Sequence, residues 1–375
     1  MRKFIIILMV LGVLFSPVIG GTFEKEFSVT PGKKLTVDVQ TGGSLEIRGW
    51  EKSSVKFIVS YRGSRFEEGM LDFYQDDEGV RMEVTNGEYY NNIGLNFEIQ
   101  VPSKFDLDIN TMGGSIMISG VEGVITGQTM GGSLLLDNLK GKLKMTTMGG
   151  EIVLKEAEVD GNLKTMGGEV LFEDVVGDIE GTSMGGAVTF RNVKIKDSTS
   201  RAKEGVVKIS TMGGEIKVDN APLGADVHTM GGEIRVKNAK VFVKARTMGG
   251  EIIIEQVDGW IDATTMGGEI TAVMVGDASK GKRDVDLSSK GGDIDLTLPA
   301  GISADFDIRL DYTKNSSQDY KIHSDFDIQI EEAKEWDYLR GNPRKTISGK
   351  GKIKGGQHRI RINTINGDIW IRKGK

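Results

Sequence analysis

Methionines at a fixed spacing are the residues of this chain whose type and pattern most suggest chemistry. Nine of the sixteen methionines stand in copies of one motif, Thr-Met-Gly-Gly or Ser-Met-Gly-Gly, and most neighbouring copies follow one another at the same interval. They are Met112, Met130, Met148, Met166, Met184, Met212, Met230, Met248 and Met266. Weaker copies of the motif place Thr41 and Lys290 in the same column. Thioether sulfurs are soft ligands that can bind Cu(I), but the motif contains no Cys and no repeated His. The pattern therefore favours an apolar role, either packing between neighbouring copies or contact with a partner.

Carboxylates form a second column, three residues after most of these methionines. Its members are Glu151, Glu169, Glu215, Glu233, Glu251, Glu269 and Asp293. Like charges on neighbouring strands are destabilising, and Lys217 and Arg235, two residues beyond their glutamates, could compensate. Calcium is the alternative, since carboxylate oxygens are its ligands, but the sequence lacks a dense Asp/Asn/Gly calcium loop. We expect a solvated ladder of acids and no metal site.

Catalytic chemistry has weak support in this sequence. The three histidines, His228, His323 and His358, stand in no metal-ligand spacing. The one G-x-S-x-G match, at 181–185, belongs to the repeated Ser-Met-Gly-Gly motif and is not a nucleophile elbow. Enzymes that cleave polysaccharides need a distinctive pair of carboxylates, whereas the acidic column repeats one group in most copies. We expect a non-enzymatic binding or structural protein without a cofactor. A polysaccharide-active β-helix enzyme is the alternative.

The residues between the motifs alternate apolar and polar with period 2, which is typical of β-strands. Val207–Thr211 and Val285–Ser289 show this before the glycines, and Ile234–Val236 resumes it after them. Two short strands and two turns per copy of the motif fit one coil of a repeat architecture. The sequence therefore predicts an all-β fold. We expect a single elongated parallel β-solenoid, a β-helix with 18-residue rungs and capping segments at both ends.

The phase of the alternation predicts which columns point inward. If Val207 faces the core, Thr211 does too, and Met212 faces outward. The hydroxyl column would then bond backbone groups of the turn, and the Gly-Gly pair would supply a positive φ or a tight bend. Beyond the turn, a second outward column includes the apolar residues Met117, Leu135, Val153 and Leu171. These four residues and the nine methionines form the candidate interaction surface. The alternative is that a short segment from the chain's own C-terminal region covers the strip.

Four short segments carry a resemblance to a known family. They are Phe27-Ser28-Val29-Thr30-Pro31-Gly32, Gly43-Ser44-Leu45-Glu46-Ile47-Arg48-Gly49-Trp50, Val101-Pro102 and Asn366-Gly367-Asp368-Ile369. Together they resemble the putative-adhesin family of uncharacterised bacterial and archaeal cell-envelope β-solenoid proteins. The resemblance implies a right-handed β-helix without known catalytic residues. The strict Met-Gly-Gly repeat departs from the looser family pattern, so its purpose does not follow from the resemblance.

The N-terminus predicts export from the cytoplasm. Arg2 and Lys3 precede an apolar run, and small residues near Gly20 suit cleavage, so we expect residues 1–20 to be a signal peptide. An uncleaved anchor is the alternative, and the expected location is secreted or extracytoplasmic, in the cell envelope or periplasm. Without Arg2 and Lys3 the chain has 46 basic and 54 acidic residues, a net charge of −8, which argues against nucleic acid as partner. We expect an unknown protein or polysaccharide at the cell surface as partner, or self-association.

The repeat also suggests how the chain is organised. We expect N-terminal strands and a cap at 21–110, the repeat at 111–300, and C-terminal strands and a cap of the same domain at 301–375. Insertions in repeat proteins fall on loops of one face, often the binding face. Residues 194–204 are expected to form such a loop. The aromatic-rich stretch 311–355 is expected to cap the repeat, with stacking on a sugar or partner as the alternative, and residues 88–92 are expected in the N-terminal cap.

Overall fold

The computed structural model describes residues 20–62, 68–84, 94–194, 206–316, 318–338 and 342–374. Residues 1–19 of the expected signal peptide, residues 88–92 and residues 195–204 of the expected loop lie outside these ranges. The described residues form β-strands and one short 3-10 helix, Glu68–Met70, so the all-β prediction is confirmed. Among them no helix has the length and apolar character that crossing a membrane requires. The chain divides into two compact units, Met1–Glu151 and Ile152–Lys375.

The N-terminal unit combines parallel and antiparallel strand pairs. Its described strands are β1 (Gly20–Ser28), β2 (Lys34–Val39), β3 (Ser44–Trp50), β4 (Ser54–Arg62), β5 (Leu71–Gln75), β6 (Gly79–Val84), β7 (Gly94–Pro102), β8 (Asp106–Thr111), β9 (Ile116–Ser119), β10 (Glu122–Thr129), β11 (Leu134–Asp137) and β12 (Lys140–Thr147). Two parallel ladders run in the order β2–β8–β10–β12 and β3–β9–β11. Antiparallel pairs join β1 to β4, β4 to β7 and β5 to β6. The parallel pairs therefore contain the Met-Gly-Gly copies, and the antiparallel pairs lie before them in the chain.

The C-terminal unit contains the remaining copies. Its described strands are β13 (Ile152–Lys155), β14 (Glu158–Thr165), β15 (Val170–Glu173), β16 (Ile179–Ser183), β17 (Val188–Arg191), β18 (Val207–Ser210), β19 (Ile216–Ala221), β20 (Ala225–His228), β21 (Ile234–Arg246), β22 (Ile252–Thr265), β23 (Ile270–Met274), β24 (Val285–Ser289), β25 (Ile294–Pro299), β26 (Ala304–Thr313), β27 (Ile322–Ser324), β28 (Gln329–Glu332), β29 (Arg344–Ile353), β30 (His358–Ile365) and β31 (Ile369–Gly374). One parallel ladder runs β14–β16–β18–β20–β21–β22–β24–β30, and the other runs β13–β15–β17–β19–β21–β22–β23–β25–β31. Strand β29 pairs antiparallel with both β26 and β28.

The register of the parallel pairs places like residues opposite one another. Ile252 lies opposite Ile270, and Ile270 lies opposite Ile294, all three with 0% exposure. Because side chains alternate along a strand, one apolar set fills the interior and the other residues face outward. Burying a side chain of this size contributes roughly 1.5–3 kcal/mol, so the inward columns supply most of the stability of each unit.

The parallel pairing keeps the same inward and outward residues on both sides of insertions in the repeat. Val188 pairs with Ile216, so the ten extra residues of this copy lie between β17 and β18. Ile270 pairs with Ile294, which places six extra residues around 275–284. Ile294 then pairs with Ile369, so the segment 300–357 does not come between β25 and β31, and its strand β27 pairs with the other edge of β31. A pairing that survives such insertions is fixed by the corner motif and the apolar columns rather than by chain distance.

Candidate interaction surface

The hydroxyl at each repeated corner joins two copies of the motif. Thr229 donates a hydrogen bond from Oγ1 to the Gly214 carbonyl, 3.0 Å away, and accepts one from the Gly232 N–H at 3.2 Å. The same pair of bonds recurs at Thr147, Ser183, Thr211, Thr247, Thr265 and Ser289. Each of these hydroxyl residues is at most 4% exposed. The predicted inward hydroxyl column, bonded to backbone groups of the turn, is confirmed.

The two glycines of each corner have different reasons to be there. A Cβ on Gly232, the second glycine, would lie 1.9 Å from the Gly214 carbonyl oxygen, so the backbones of neighbouring corners leave no room for a side chain. A Cβ on Gly231, the first glycine, would meet nothing closer than 3.8 Å. Among the described Met-Gly-Gly corners only Gly114 has a left-handed φ, at 90°. Of the two expected roles, a positive φ therefore applies at one corner, and at the other corners the glycines stand in a bend where close backbone approach requires the second glycine.

The nine methionines face solvent, as the phase of the alternation predicted. Their exposed fractions run from 39% at Met230 to 57% at Met112. In the C-terminal unit the corners also touch through the backbone, because the Met230 N–H donates to the Met212 carbonyl at 3.2 Å and the Met248 N–H to the Met230 carbonyl at 3.1 Å. Met112, Met130 and Met148 belong to the N-terminal unit, and Met166, Met184, Met212, Met230, Met248 and Met266 belong to the C-terminal unit. Each unit therefore has its own column of half-exposed thioethers.

The second outward column is less exposed than the methionines. Leu135 pairs with Met117 in the N-terminal unit, and Val153 pairs with Leu171 in the C-terminal unit. Leu135 is 36% exposed, and the other three are half-buried. Beyond Leu171 the column continues with Thr189 and then with Lys217 and Arg235, among other residues. The structure thus brings the four predicted residues together as two pairs, one in each unit.

One predicted member of the methionine column lies elsewhere. The sequence motif Gln40-Thr41-Gly42-Gly43 places Thr41 in this column, but Val39 pairs with Thr111 and its carbonyl accepts the Met112 N–H at 3.1 Å. Gln40 therefore follows the position of the corner hydroxyl, and this first turn contains one residue more than the others. The extra residue explains why Gly42 and Gly43 both have left-handed φ values, 78° and 144°.

Ion pairs compensate part of the acidic column, as predicted. Lys217 lies 2.7 Å from Glu215, and Arg235 lies 2.8 Å from Glu233. By contrast, Glu169, Glu251 and Glu269 make no ion pair with any residue that the structure describes. All three are exposed, so solvent screens their charges.

A further outward column alternates in charge. Glu173 lies 2.8 Å from both Lys155 and Arg191, its neighbours on the paired strands β13 and β17. Hydrogen bonds from Lys155 and Arg191 hold the pKa of Glu173 below its usual value. The column continues with Lys237 bound to Asp219 at 2.9 Å. Because opposite charges face each other along the column, it neutralises itself.

The three histidines do not come together: two are used in packing, and the third lies beside the methionine column. His323 stacks on Trp370 with ring centroids 5.6 Å apart and 7° between the planes. His358 is 4% exposed, and His228 is an exposed residue at the end of β20. Within the described residues no three His, Cys, Asp or Glu side chains converge to hold a metal ion.

Two clusters were not anticipated from the sequence. Arg283, 3% exposed, donates to the carbonyls of Lys280, Val275 and Asp277 at 2.9–3.1 Å and to the Asp258 carboxylate. It therefore fixes the six-residue insertion around 275–284. Phe242 stacks on Trp260 with centroids 4.8 Å apart, and a Cβ on Gly224 would meet the Phe242 ring at 2.4 Å.

The aromatic residues of 311–355 mostly contact one another and polar neighbours. Tyr312 meets Trp336 edge to face, with ring centroids 5.5 Å apart, and its hydroxyl donates a hydrogen bond to the Glu332 carboxylate. Glu332 also forms an ion pair with Lys345, with a nitrogen–oxygen distance of 2.7 Å. Burial and this hydrogen bond raise the pKa of Tyr312. Tyr338 differs, since it is 62% exposed. Most of these aromatic rings therefore contact other residues of the chain.

Comparisons with known proteins give distant structural similarities. No family model matches the sequence, and no curated protein matches it. A putative cell adhesion protein from Clostridium sporogenes is 12% identical over 94% of this chain and 100% of its own, with a TM-score of 0.19. A putative adhesin from Parabacteroides merdae is 11% identical over 73% of this chain and 95% of its own, with a TM-score of 0.34. A putative lipid binding protein from Parabacteroides distasonis is 11% identical over 95% of this chain and 98% of its own, with a TM-score of 0.25.

The names of the first two proteins agree with the resemblance to the putative-adhesin family. All three TM-scores lie below 0.5.

Proposed function

We propose that the chain is a non-enzymatic, adhesin-like binding protein of the cell envelope that contacts its partner through the outward columns. One observation carries the proposal: the nine methionines of the repeated corners are 39–57% exposed. A single exposed apolar residue needs no explanation, but a repeated set of them usually marks an interface. The contact surface consists of these methionines together with Met117, Leu135, Val153 and Leu171.

The same repeat motivates a proposal for the architecture. Each 18-residue copy forms one rung of a parallel β-solenoid, with right-handed coiling as the family resemblance implies. Strand pairs such as Glu122 opposite Lys140 and Val170 opposite Val188, each one copy of the repeat apart, support this. The antiparallel strands in 21–110 and 301–375 cap the ends of the repeat at 111–300, because an open end of a repeat protein exposes its core.

A position outside the cytoplasm is part of the proposal. It rests on the charged and apolar N-terminus, residues 1–20, and on the resemblance to envelope proteins. The partner is then a protein or polysaccharide at the cell surface. A nucleic acid is disfavoured, because the chain after its first residues is acidic.

A binding assay tests this function. It measures how much of the purified protein is retained on isolated cell envelopes of the organism that makes it. The test variant changes Met184, Met230 and Met248 to Ser, and the control variant changes the exposed apolar residues Ile330 and Tyr338 to Ser. We expect the test variant to lose most of its envelope binding and the control to keep it. Circular dichroism spectra should be unchanged, because the substituted side chains are about half exposed.

A second variant guards against loss of fold. Met248→Lys copies the residue that the chain itself has at Lys290, which occupies the same position after Ser289. It should fold and still bind the envelope less well. Equal retention of wild-type protein and of the folded variants would refute the proposed contact surface.

A further inference from the structure

The first glycine of each corner lacks an internal reason to be glycine. In the C-terminal unit a Cβ on Gly185, Gly213, Gly231, Gly249 or Gly267 would meet its nearest atom at 3.5–3.8 Å, an ordinary contact, and none of these residues has a left-handed φ. Alanine at such a position commonly stabilises a protein by about 0.4–1 kcal/mol, because it restricts the unfolded chain. The chain nevertheless has glycine after every methionine of the repeat. An atom from outside the chain that occupies this space would explain the glycine.

Two polar columns of the C-terminal unit flank the methionine–glycine pair. On one side are the residues that precede each corner hydroxyl, here named the flanking column: Lys164, Thr182, Ser210, His228, Arg246, Thr264 and Ser288. On the other side are the acidic residues Glu169, Glu215, Glu233, Glu251, Glu269 and Asp293. The order across the surface is therefore flanking column, methionine, first glycine, acidic column.

From this order we infer that the occupant is a second copy of the chain, packed face to face with the two methionine columns parallel. A two-fold axis along the columns exchanges left and right, so the methionines of one copy lie over the first glycines of the other. The same operation places the acidic column of each copy opposite the flanking column of its partner. A two-fold axis across the columns would instead set methionine on methionine and acid on acid. This inference rests on the proposed contact surface and specifies what it contacts.

Charges favour the parallel arrangement. Glu169 and Glu251 are exposed and make no ion pair with the residues that the structure describes, and each stands at the same level as a cation of the flanking column, Lys164 or Arg246. In a parallel dimer each of these acids faces the partner's cation, and two-fold symmetry doubles every pair. Such pairs at the rim of an interface fix orientation more than they add affinity. The antiparallel dimer would instead set the acidic columns opposite each other, and the cations beside them, Lys217 and Arg235, are already paired with Glu215 and Glu233.

The available area suits a weak dimer. Strands lie about 4.8 Å apart, so the corners from Met166 to Met266 with their flanks form a strip roughly 30 Å long. At a width of about 15–20 Å, the two copies would bury on the order of 1,000 Å², at the low end of specific interfaces. The dimer should therefore dissociate in the micromolar range and form readily where the protein is concentrated at an envelope.

Light scattering on the purified mature chain across a concentration series tests the inference first. We expect a monomer–dimer equilibrium that Gly231→Ala together with Gly249→Ala weakens at least tenfold, with an unchanged circular dichroism spectrum and an undiminished melting temperature. A wild-type chain that remains monomeric at several hundred micromolar would overturn the inference. Envelope binding that still depends on the methionines would then leave the proposed function standing.

Cross-linking tests the orientation, because the chain has no cysteine of its own. Met184→Cys alone should form a disulfide-linked dimer in a parallel arrangement, since each position meets its own copy. In an antiparallel arrangement centred on this column, Met184→Cys would instead join Met248→Cys in a mixture of the two variants. Cross-links found only in the mixture would overturn the parallel dimer.

A charge exchange gives an independent readout. Glu169→Lys and Lys164→Glu should each weaken the dimer severalfold, because each creates a pair of like charges across the interface. The double variant restores opposite charges and should restore dimerisation. Failure of the double variant to recover, with both single variants folded, would contradict the predicted facing of the two columns.

Discussion

Replacement of Thr229 by Val tests the hydroxyl column more sharply than any other single change. Valine keeps the shape and volume of threonine but removes the group that bridges two corners. Thr229 is fully buried, so water cannot replace the lost partners. Thr229→Ser is the matched control, because serine keeps the hydroxyl, and Ser183 makes the equivalent bonds at 2.8 and 2.9 Å.

The magnitude follows from the two groups left without a partner. Valine strands the carbonyl of Gly214 and the N–H of Gly232 that Thr229 bonds at 3.0 and 3.2 Å. A buried polar group without a partner costs about 1–3 kcal/mol, and the second bond is long, so the expected loss is about 2–4 kcal/mol. Serine loses one methyl group, which costs about 0.8 kcal/mol. Valine should therefore be the more destabilising change by about 1–3 kcal/mol.

Urea unfolding followed by circular dichroism measures the difference between the two variants. Hydrogen exchange of the Gly232 amide measures it locally, and exchange there should accelerate in the valine variant far more than in the serine variant. If Val proved as stable as Ser, or the Gly232 amide stayed equally protected, the hydroxyl would not be holding the corners together.

Three further outcomes are expected from the structure. Gly232→Ala should destabilise the protein by about 1–3 kcal/mol, the usual cost of forcing extra atoms into a packed site. Gly231→Ala, the control, should leave the melting temperature equal or higher. Equal effects of the two variants in thermal unfolding would contradict the different roles assigned to the two glycines. Arg283→Met should lower the free energy of unfolding in urea by about 2–4 kcal/mol, because four acceptors lose their donor. Arg283→Lys should have an intermediate effect. If neither variant lost stability, Arg283 would not be fixing the insertion around 275–284. Hydrogen bonds from Ser279 hold the pKa of Asp277 at about 2. The ionised Asp277 therefore contributes its full stabilisation of the folded state above its ordinary pKa of 3.8, and this contribution is lost as the pH falls toward 2. NMR titration should show that Ser279→Ala raises the pKa of Asp277, and an unchanged titration midpoint would exclude the hydrogen bond.

Much of the strand pattern could be predicted from the alternation itself. Val207, Ile209 and Thr211 share one phase, and this phase placed the hydroxyls inside and the methionines outside. Such predictions succeed because burial imposes the period of 2 directly on residue choice. The acidic column with its local cations, Lys217 and Arg235, could be predicted for the same reason, since residues two apart share a face.

What could not be predicted depends on distances between backbones. The two glycines of a corner look equivalent in sequence, yet only the second, such as Gly232, touches a neighbouring carbonyl. The register at Thr41 failed because one extra residue in a turn leaves the motif recognisable while shifting its position. The burial of Arg283 could not be predicted, because a single arginine in a polar stretch of sequence resembles a surface residue. Its burial depends on the fold of the surrounding loop.

The tolerance of the ladders for inserted residues has a consequence for the gene. Gain or loss of one whole copy that keeps the corner motif would return every hydroxyl to a carbonyl and every second glycine to its neighbour. The ten extra residues between β17 and β18 and the six extra residues around 275–284 are absorbed without disturbing the pairing on either side. A change in copy number would therefore leave the corner chemistry constant and alter only the length of the methionine column.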